Sequence, residues 1–213
     1  VLAGITVAIA FNNKEEHIHT YVEGKTFHIG DDIYYTQQCE EGHISNFDTN
    51  LTFAEIMNSV SATDKIVLDE DFEVGAVELR SYISNDNVLT EELNLIINLN
   101  LNGNTLYYKN ITEGVNDTFP FFSLMSPYGK ITLNIENGRI QSTNLSHIFE
   151  FHNNGQTDSI NLNLNNVECI TEGESCTPIY ANDTSENISV TANNCKFIGR
   201  AINSNAKNTS VGL

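Results

Sequence analysis

The chain has 213 residues and a mass of 23.7 kDa, enough for one domain with a sizeable core and too little for several. Its 10 Lys and Arg stand against 28 Asp and Glu, a net charge of −18, so a grip on nucleic acid or anionic lipid through counterion release has almost nothing to use, and both are set aside as partners. The 30 Asn, beside 13 Gly, 3 Pro and no Trp, are a load that turns accept and helices or flat strands resist, which points to many turns of one kind.

Residues 1–10, VLAGITVAIA, are mostly apolar but too short to span a bilayer as a helix. With Ala8 and Ala10 in an A-x-A pattern, they read as the back half of a secretory signal, with a mature chain starting near Phe11. The alternative is an N-terminal strand, since Ile5, Val7 and Ile9 alternate. Residues 11–50 read as a β-rich cap region. In it HIHTYVEGKTFHIGDDIYY alternates around Glu23-Gly24-Lys25, predicting a hairpin with strands near 17–22 and 26–35. Thr52 followed by Glu55 is a capping-box pair, and Phe53, Ile56, Met57 and Val60 fall at i, i+3, i+4 and i+7, predicting a short amphipathic helix over about 53–62. Ser61 to Lys65 breaks it, and KIVLDEDFEV begins a strand regime.

Residues 51–213 then repeat themselves. Four segments align without gaps, beginning at Leu99, Leu133, Leu162 and Val190, at offsets of 34, 29 and 28 residues. Their first and third positions are apolar, as one buried strand face requires, and the eighth, Leu106, Ile140, Cys169 and Phe197, returns to the interior after a bend. The bend holds Asn102, Asn137, Asn166 and Asn194, a residue type that tolerates left-handed backbone angles and stacks amide on amide. Shorter apolar segments lie between the strands, FPFFSLM at 119–125, HIFEF at 147–151, PIY at 178–180 and AIN at 201–203. A strand, an Asn bend, a second strand and a variable loop, repeated every 28 or so residues, predict an all-β fold, a parallel β-helix solenoid of about five coils.

FAEIMNSVSATDKIVLDEDF followed by LNLIINLNLNGNTLYY resembles the opening of secreted right-handed β-helix proteins of the pectin-lyase-like superfamily, and more closely the large adhesin-like surface proteins of bacteria and archaea that use this fold. The resemblance covers about residues 51–213 and implies a right-handed solenoid with a short capping helix over its N-terminal end. It also implies two possible chemistries on acidic polysaccharides. A hydrolase needs paired or tripled Asp, whereas Asp117, Asp158 and Asp183 fall in apparent loops. A lyase needs a Lys or Arg base beside carboxylates that hold calcium, and one outward column, Thr105, Arg139, Glu168 and Lys196, offers Arg139, Glu168 and Lys196. The simpler reading of that column is a surface charge ladder of alternating sign.

Asp69-Glu70-Asp71 with Glu73, and Asp31-Asp32, are weak calcium candidates without a known ligand spacing; no other cofactor is expected. His17, His19 and His28 could share a hairpin face and hold zinc, although exposed strand histidines are commoner. Of four cysteines, Cys169 and Cys195 stand too far apart in the alignment for a disulfide, while Cys169–Cys176 or Cys176–Cys195 is easier to build and Cys39 has no obvious partner. Seven N-x-S/T sequons, at Asn50, Asn110, Asn116, Asn144, Asn182, Asn187 and Asn208, barely exceed the roughly five that chance gives at this Asn content. The expected function is that of a non-catalytic, secreted or cell-surface protein of adhesin-like type. Its loops at 110–129, 141–146, 170–177 and 182–187 would meet carbohydrate or a host or cell-surface ligand. The alternatives are a polysaccharide lyase-like enzyme and a structural filament subunit that associates with itself end to end.

Overall fold

The computed structural model describes residues 21–39, 44–47, 53–85, 88–108, 120–126, 128–142, 147–152, 159–171, 177–181, 187–199, 203–204 and 210–212. The apolar run 1–10, His17, His19 and Cys176 lie outside them. Strands β1 (Tyr21–Ile29), β2 (Asp32–Cys39) and β3 (Ile44–Phe47) form an antiparallel meander. Its first turn is at Gly30-Asp31, where Gly30 takes a φ of 59° and Ile29 faces Asp32. The hairpin expected around Glu23-Gly24-Lys25 is therefore displaced. That stretch lies inside β1 as a break in register between Glu23 and Thr26, a glycine used for a bulge rather than a turn. The helix α1 (Phe53–Ser59) is a few residues shorter than the apolar spacing suggests, and it buries Phe53, Ile56 and Met57.

From β4 (Ile66–Leu68) onward all but two of the pairings among the described residues are parallel. β5 (Phe72–Val74) and β6 (Val77–Arg80) complete a first set of three short strands, each burying alternate residues. After the antiparallel hairpin β7 (Tyr82–Asn85) and β8 (Val88–Glu92) come β9 (Asn94–Asn100), β10 (Thr105–Tyr108) and β11 (Phe122–Met125). Two strands of 13 residues follow, β12 (Lys130–Ser142) and β14 (Ser159–Thr171), each trailed by a short one, β13 (Phe149–His152) and β15 (Ile179–Ala181). The last are β16 (Ile188–Asn193), β17 (Lys196–Ile198), β18 (Asn203–Ser204) and β19 (Ser210–Gly212).

These strands stack in three parallel ladders. One runs β4, β9, β12, β14, β16, β19; the second runs β5, β10, the later halves of β12 and β14, then β17; the third is β6, β11, β13, β15, β18. The fold is all-β with parallel sheets, as the alternation and repeats predict. In β12 the buried residues are Ile131, Leu133 and Ile135 before the bend and Ile140 and Ser142 after it, so the parity of burial switches at Asn137, whose φ is 58°. Asn102, Asn166 and Asn194 adopt the same left-handed backbone. One such residue re-aims the following strand, because it reverses which face the next side chain meets.

The ungapped alignment of the first two repeats needs correcting. Leu133 stands beside Ile97, not Leu99, whereas Arg139 does stand beside Thr105. Between those points the earlier copy holds two more residues, in the turn Leu101-Asn102-Gly103-Asn104. Leu101 is fully buried and sits where a side chain at Gly138 would go, since a β-carbon there would lie 2.5 Å from both Leu101 Cβ and Asn104 O.

The core lies between the ladders. Tyr108, Phe121, Phe122 and Phe149 stack with ring centroids 5.1, 4.6 and 5.3 Å apart. Such ring pairs are worth about 0.5–1.5 kcal/mol each beyond the area they bury. A second aromatic group closes the N-terminal side: Phe27 of β1 meets Phe53 of α1 and Phe72 of β5 edge-on at 5.4 and 5.6 Å. There β1 pairs antiparallel with β4, Phe27 beside Leu68, so the outer edge of the first ladder is covered.

Candidate functional site

The alternation of β12, β14 and β17 after the Asn bend turns Arg139, Glu168 and Lys196 outward, and the parallel register sets them side by side. Arg139 donates through Nη2 and Nε to Glu168 Oε2, at 2.7 and 2.8 Å, and Lys196 Nζ donates to Glu168 Oε1 at 2.7 Å. Both carboxylate oxygens are thus engaged by cations. The hydrogen bond from Lys196, then that from Arg139, holds the Glu168 carboxyl below its ordinary range. A proton-abstracting base needs a free lone pair, and Lys196 stands here as an ammonium donor. Thr105, the first member of the column, is buried instead of outward, with its N–H donating to Asp71 Oδ1 at 2.7 Å.

The acidic cluster does not converge. Asp69 accepts from Thr26 Oγ1 at 3.0 Å and lies 2.8 Å from His28 Nδ1; Glu70 accepts from the Thr26 N–H; Asp71 turns to Thr105. Asp69 and Glu70 tie β1 to the ladders, and Asp71 joins two strand sets within them. Among the described residues no group of three His, Cys, Asp or Glu could hold a metal ion. Asp31 lies in the turn with Gly30 and Asp32 opens β2, and His28 is on Asp69.

The Asn bend forms an amide row: Asn194 Nδ2 donates to Asn166 Oδ1 at 2.6 Å, and Asn166 Nδ2 to Asn137 Oδ1 at 3.2 Å. Asn102 shares their backbone, but its amide donates to the Leu68 carbonyl at 3.2 Å, together with that of Asn104 at 3.1 Å. The stretch that follows Leu68, Asp69-Glu70-Asp71, holds no Asn to continue the row. A second row was not foreseen: Asn163 donates to Asn134 and Asn134 to Asn98, at 2.8 and 2.9 Å, and Asn98 donates to the carbonyls of Ala62 and Asp64. Cys169 and Cys195 are free thiols; Cys169 is fully buried, which drives its pKa strongly upward, and Cys195 donates to Asn193 O at 3.2 Å.

The third ladder brings together groups that the sequence reading missed. His147 Nδ1 accepts from the Thr177 N–H at 3.1 Å and lies 3.0 Å from its hydroxyl, while its ring stacks on Tyr180 at 4.4 Å and 10°. Burial lowers the pKa of His147, with Glu150 partly opposing. Glu150 stands beside Tyr180 and 3.2 Å from His152. The only signal was that HIFEF and PIY fall at matching places in successive repeats. A neutral imidazole that receives the Thr177 N–H at Nδ1 carries its proton on Nε2, which makes Nε2 a donor rather than a base. Most of the loop stretches 110–129, 141–146, 170–177 and 182–187 lie outside the described residues. No helix among the described residues is long and apolar enough to cross a membrane. No family model matches the chain, and neither does any curated protein or solved structure.

Proposed function

We propose that the chain is a right-handed parallel β-helix of about five coils and of non-catalytic, adhesin-like type. It is secreted or held at the cell surface, and its loops meet carbohydrate or another surface ligand. The solenoid is supported by the three parallel ladders, in which β12, β14 and β16 repeat their register at intervals of 29 and 28 residues. Such a ladder makes a rigid rod and leaves contact to the connections between strands.

The observation that carries the non-catalytic reading is the Arg139–Glu168–Lys196 chain. Each candidate for lyase chemistry is engaged by another member of the same column, so it serves cross-strand pairing. The test offers the intact chain, with calcium, a panel of neutral and acidic polysaccharides, and scores both retention on the polysaccharide and absorbance from unsaturated products. Retention without product is the expected result. Product that disappears in Lys196→Ala or Arg139→Ala, with both variants folded, would make the chain a lyase and overturn the reading.

A further inference from the structure

The outer edge of β6 is met by the side chain of Asn58. Residues of β6 alternate in the direction of their backbone groups. Val77 N–H donates to Phe121 O at 2.7 Å and Ser81 N–H to Met125 O at 3.3 Å, both toward β11. Glu78 and Arg80 therefore turn their backbone groups to the other edge, where a further parallel strand would pair. Among the described residues no strand stands there in the five-stranded sheet. Instead Asn58 of α1 donates from Nδ2 to Glu78 O at 2.8 Å and accepts at Oδ1 from the Arg80 N–H at 3.1 Å. In a parallel ladder one residue of the neighbouring strand donates to one backbone carbonyl and accepts from the N–H two residues further on. The Asn58 carboxamide makes that same pair of bonds. Its remaining N–H goes to Ala54 O at 2.8 Å, so both donors of the amide are held.

Asn is a poor helix former, and position 58 of a seven-residue helix would favour Ala or Leu on propensity alone. Asn therefore has to be explained by what its amide does at the sheet edge. An unpaired edge accepts strands from other chains, and proteins block such edges explicitly. The copy best matched to this edge is the chain itself, whose strands already run parallel with the same alternation of buried residues as β6.

We infer that α1 is a stop for strand addition: the Asn58 amide stands in for one peptide unit of a missing strand, and the partner it excludes is an extended strand of a second copy of this chain, added in the parallel sense. Asn58→Leu keeps the branching and size of the side chain, favours the helix and removes both edge bonds. Sedimentation velocity over a concentration series should show the wild type as one chain, and folded Asn58→Leu moving with concentration toward two or more. Adding Arg80→Pro removes the N–H that an incoming strand needs, at an edge position where proline is tolerated, and should restore the single chain. A folded Asn58→Leu that stays a single chain throughout overturns the inference, and so does association that Arg80→Pro leaves unchanged. Should Asn58→Leu fail to fold, Asn58→Ser is read by the same two criteria; loss of fold in both would make Asn58 a requirement of folding and would also overturn the stop.

Discussion

At Asn166 a left-handed backbone, φ 56°, coincides with two amide bonds, one given to Asn137 and one received from Asn194. Substitution separates the two. Asn166→Gly keeps the conformation and loses the bonds, a net cost of about 1 kcal/mol. Asn166→Ala loses the same bonds and adds about 1–2 kcal/mol for a β-carbon in left-handed backbone. Urea unfolding should rank wild type above Gly and Gly above Ala, and equal values for the two variants would mean that the backbone angle carries no cost. His147 gives a second residue-scale prediction. Its folded pKa lies below the ordinary 6.5, so protonation favours the unfolded chain. Its contribution is fully present above pH 6.5 and is lost as pH falls from there through the folded value, because Nδ1 can no longer accept from Thr177. Stability measured across that range should decline toward acid, and more weakly in His147→Gln; an NMR titration of the ring that gave a value above 6.5 would reverse the sign.

At the scale of elements, the strands were legible because their buried residues alternate, and α1 because Phe53, Ile56 and Met57 share one face. The pairing of those strands was less so. The shift that sets Leu133 beside Ile97 comes from two residues in the Leu101–Asn104 turn, and an ungapped comparison has no means of placing them. The second amide row was hidden only at its Asn98 end by the same shift, since the alignment set Asn163 beside Asn134 but paired Asn134 with Asn100 instead of Asn98. The Arg139, Glu168 and Lys196 column was legible because it lies beyond the turn, where the register recovers. His147 was not, because its partners Thr177 and Tyr180 come from the following repeat and no local pattern links them. The turn also makes a prediction. Gly138→Ala would set a β-carbon 2.5 Å from a backbone oxygen and from a buried Leu101, neither of which can rotate away. Overpacking of this kind costs about 1–3 kcal/mol, and removal of the Leu101 β-carbon by Leu101→Gly in the same chain should recover part of it if that contact is a cause, the Asn104 oxygen remaining. Thermal unfolding of the two single variants and the double variant measures that coupling.

At the scale of the whole molecule, two electrostatic effects oppose each other, and salt tells them apart. The Arg139–Glu168–Lys196 column is attractive but exposed, and pairs of that kind contribute about 0–1 kcal/mol and weaken as salt is added. The chain as a whole carries 28 acidic side chains against 10 basic ones, and the resulting self-repulsion also weakens with salt, with the opposite effect on stability. Net repulsion reaches over the whole surface, because at low ionic strength the screening length, about 30 Å at 0.01 M, spans a domain of this size. The ion pairs act at contact and lose less to screening. Raising NaCl from about 0.01 M to about 0.3 M should therefore raise the midpoint of thermal unfolding. A midpoint that fell instead would show that the column and its neighbours govern the stability of the fold, and the three charges at 139, 168 and 196 would then be the first place to look for the reason they were kept together.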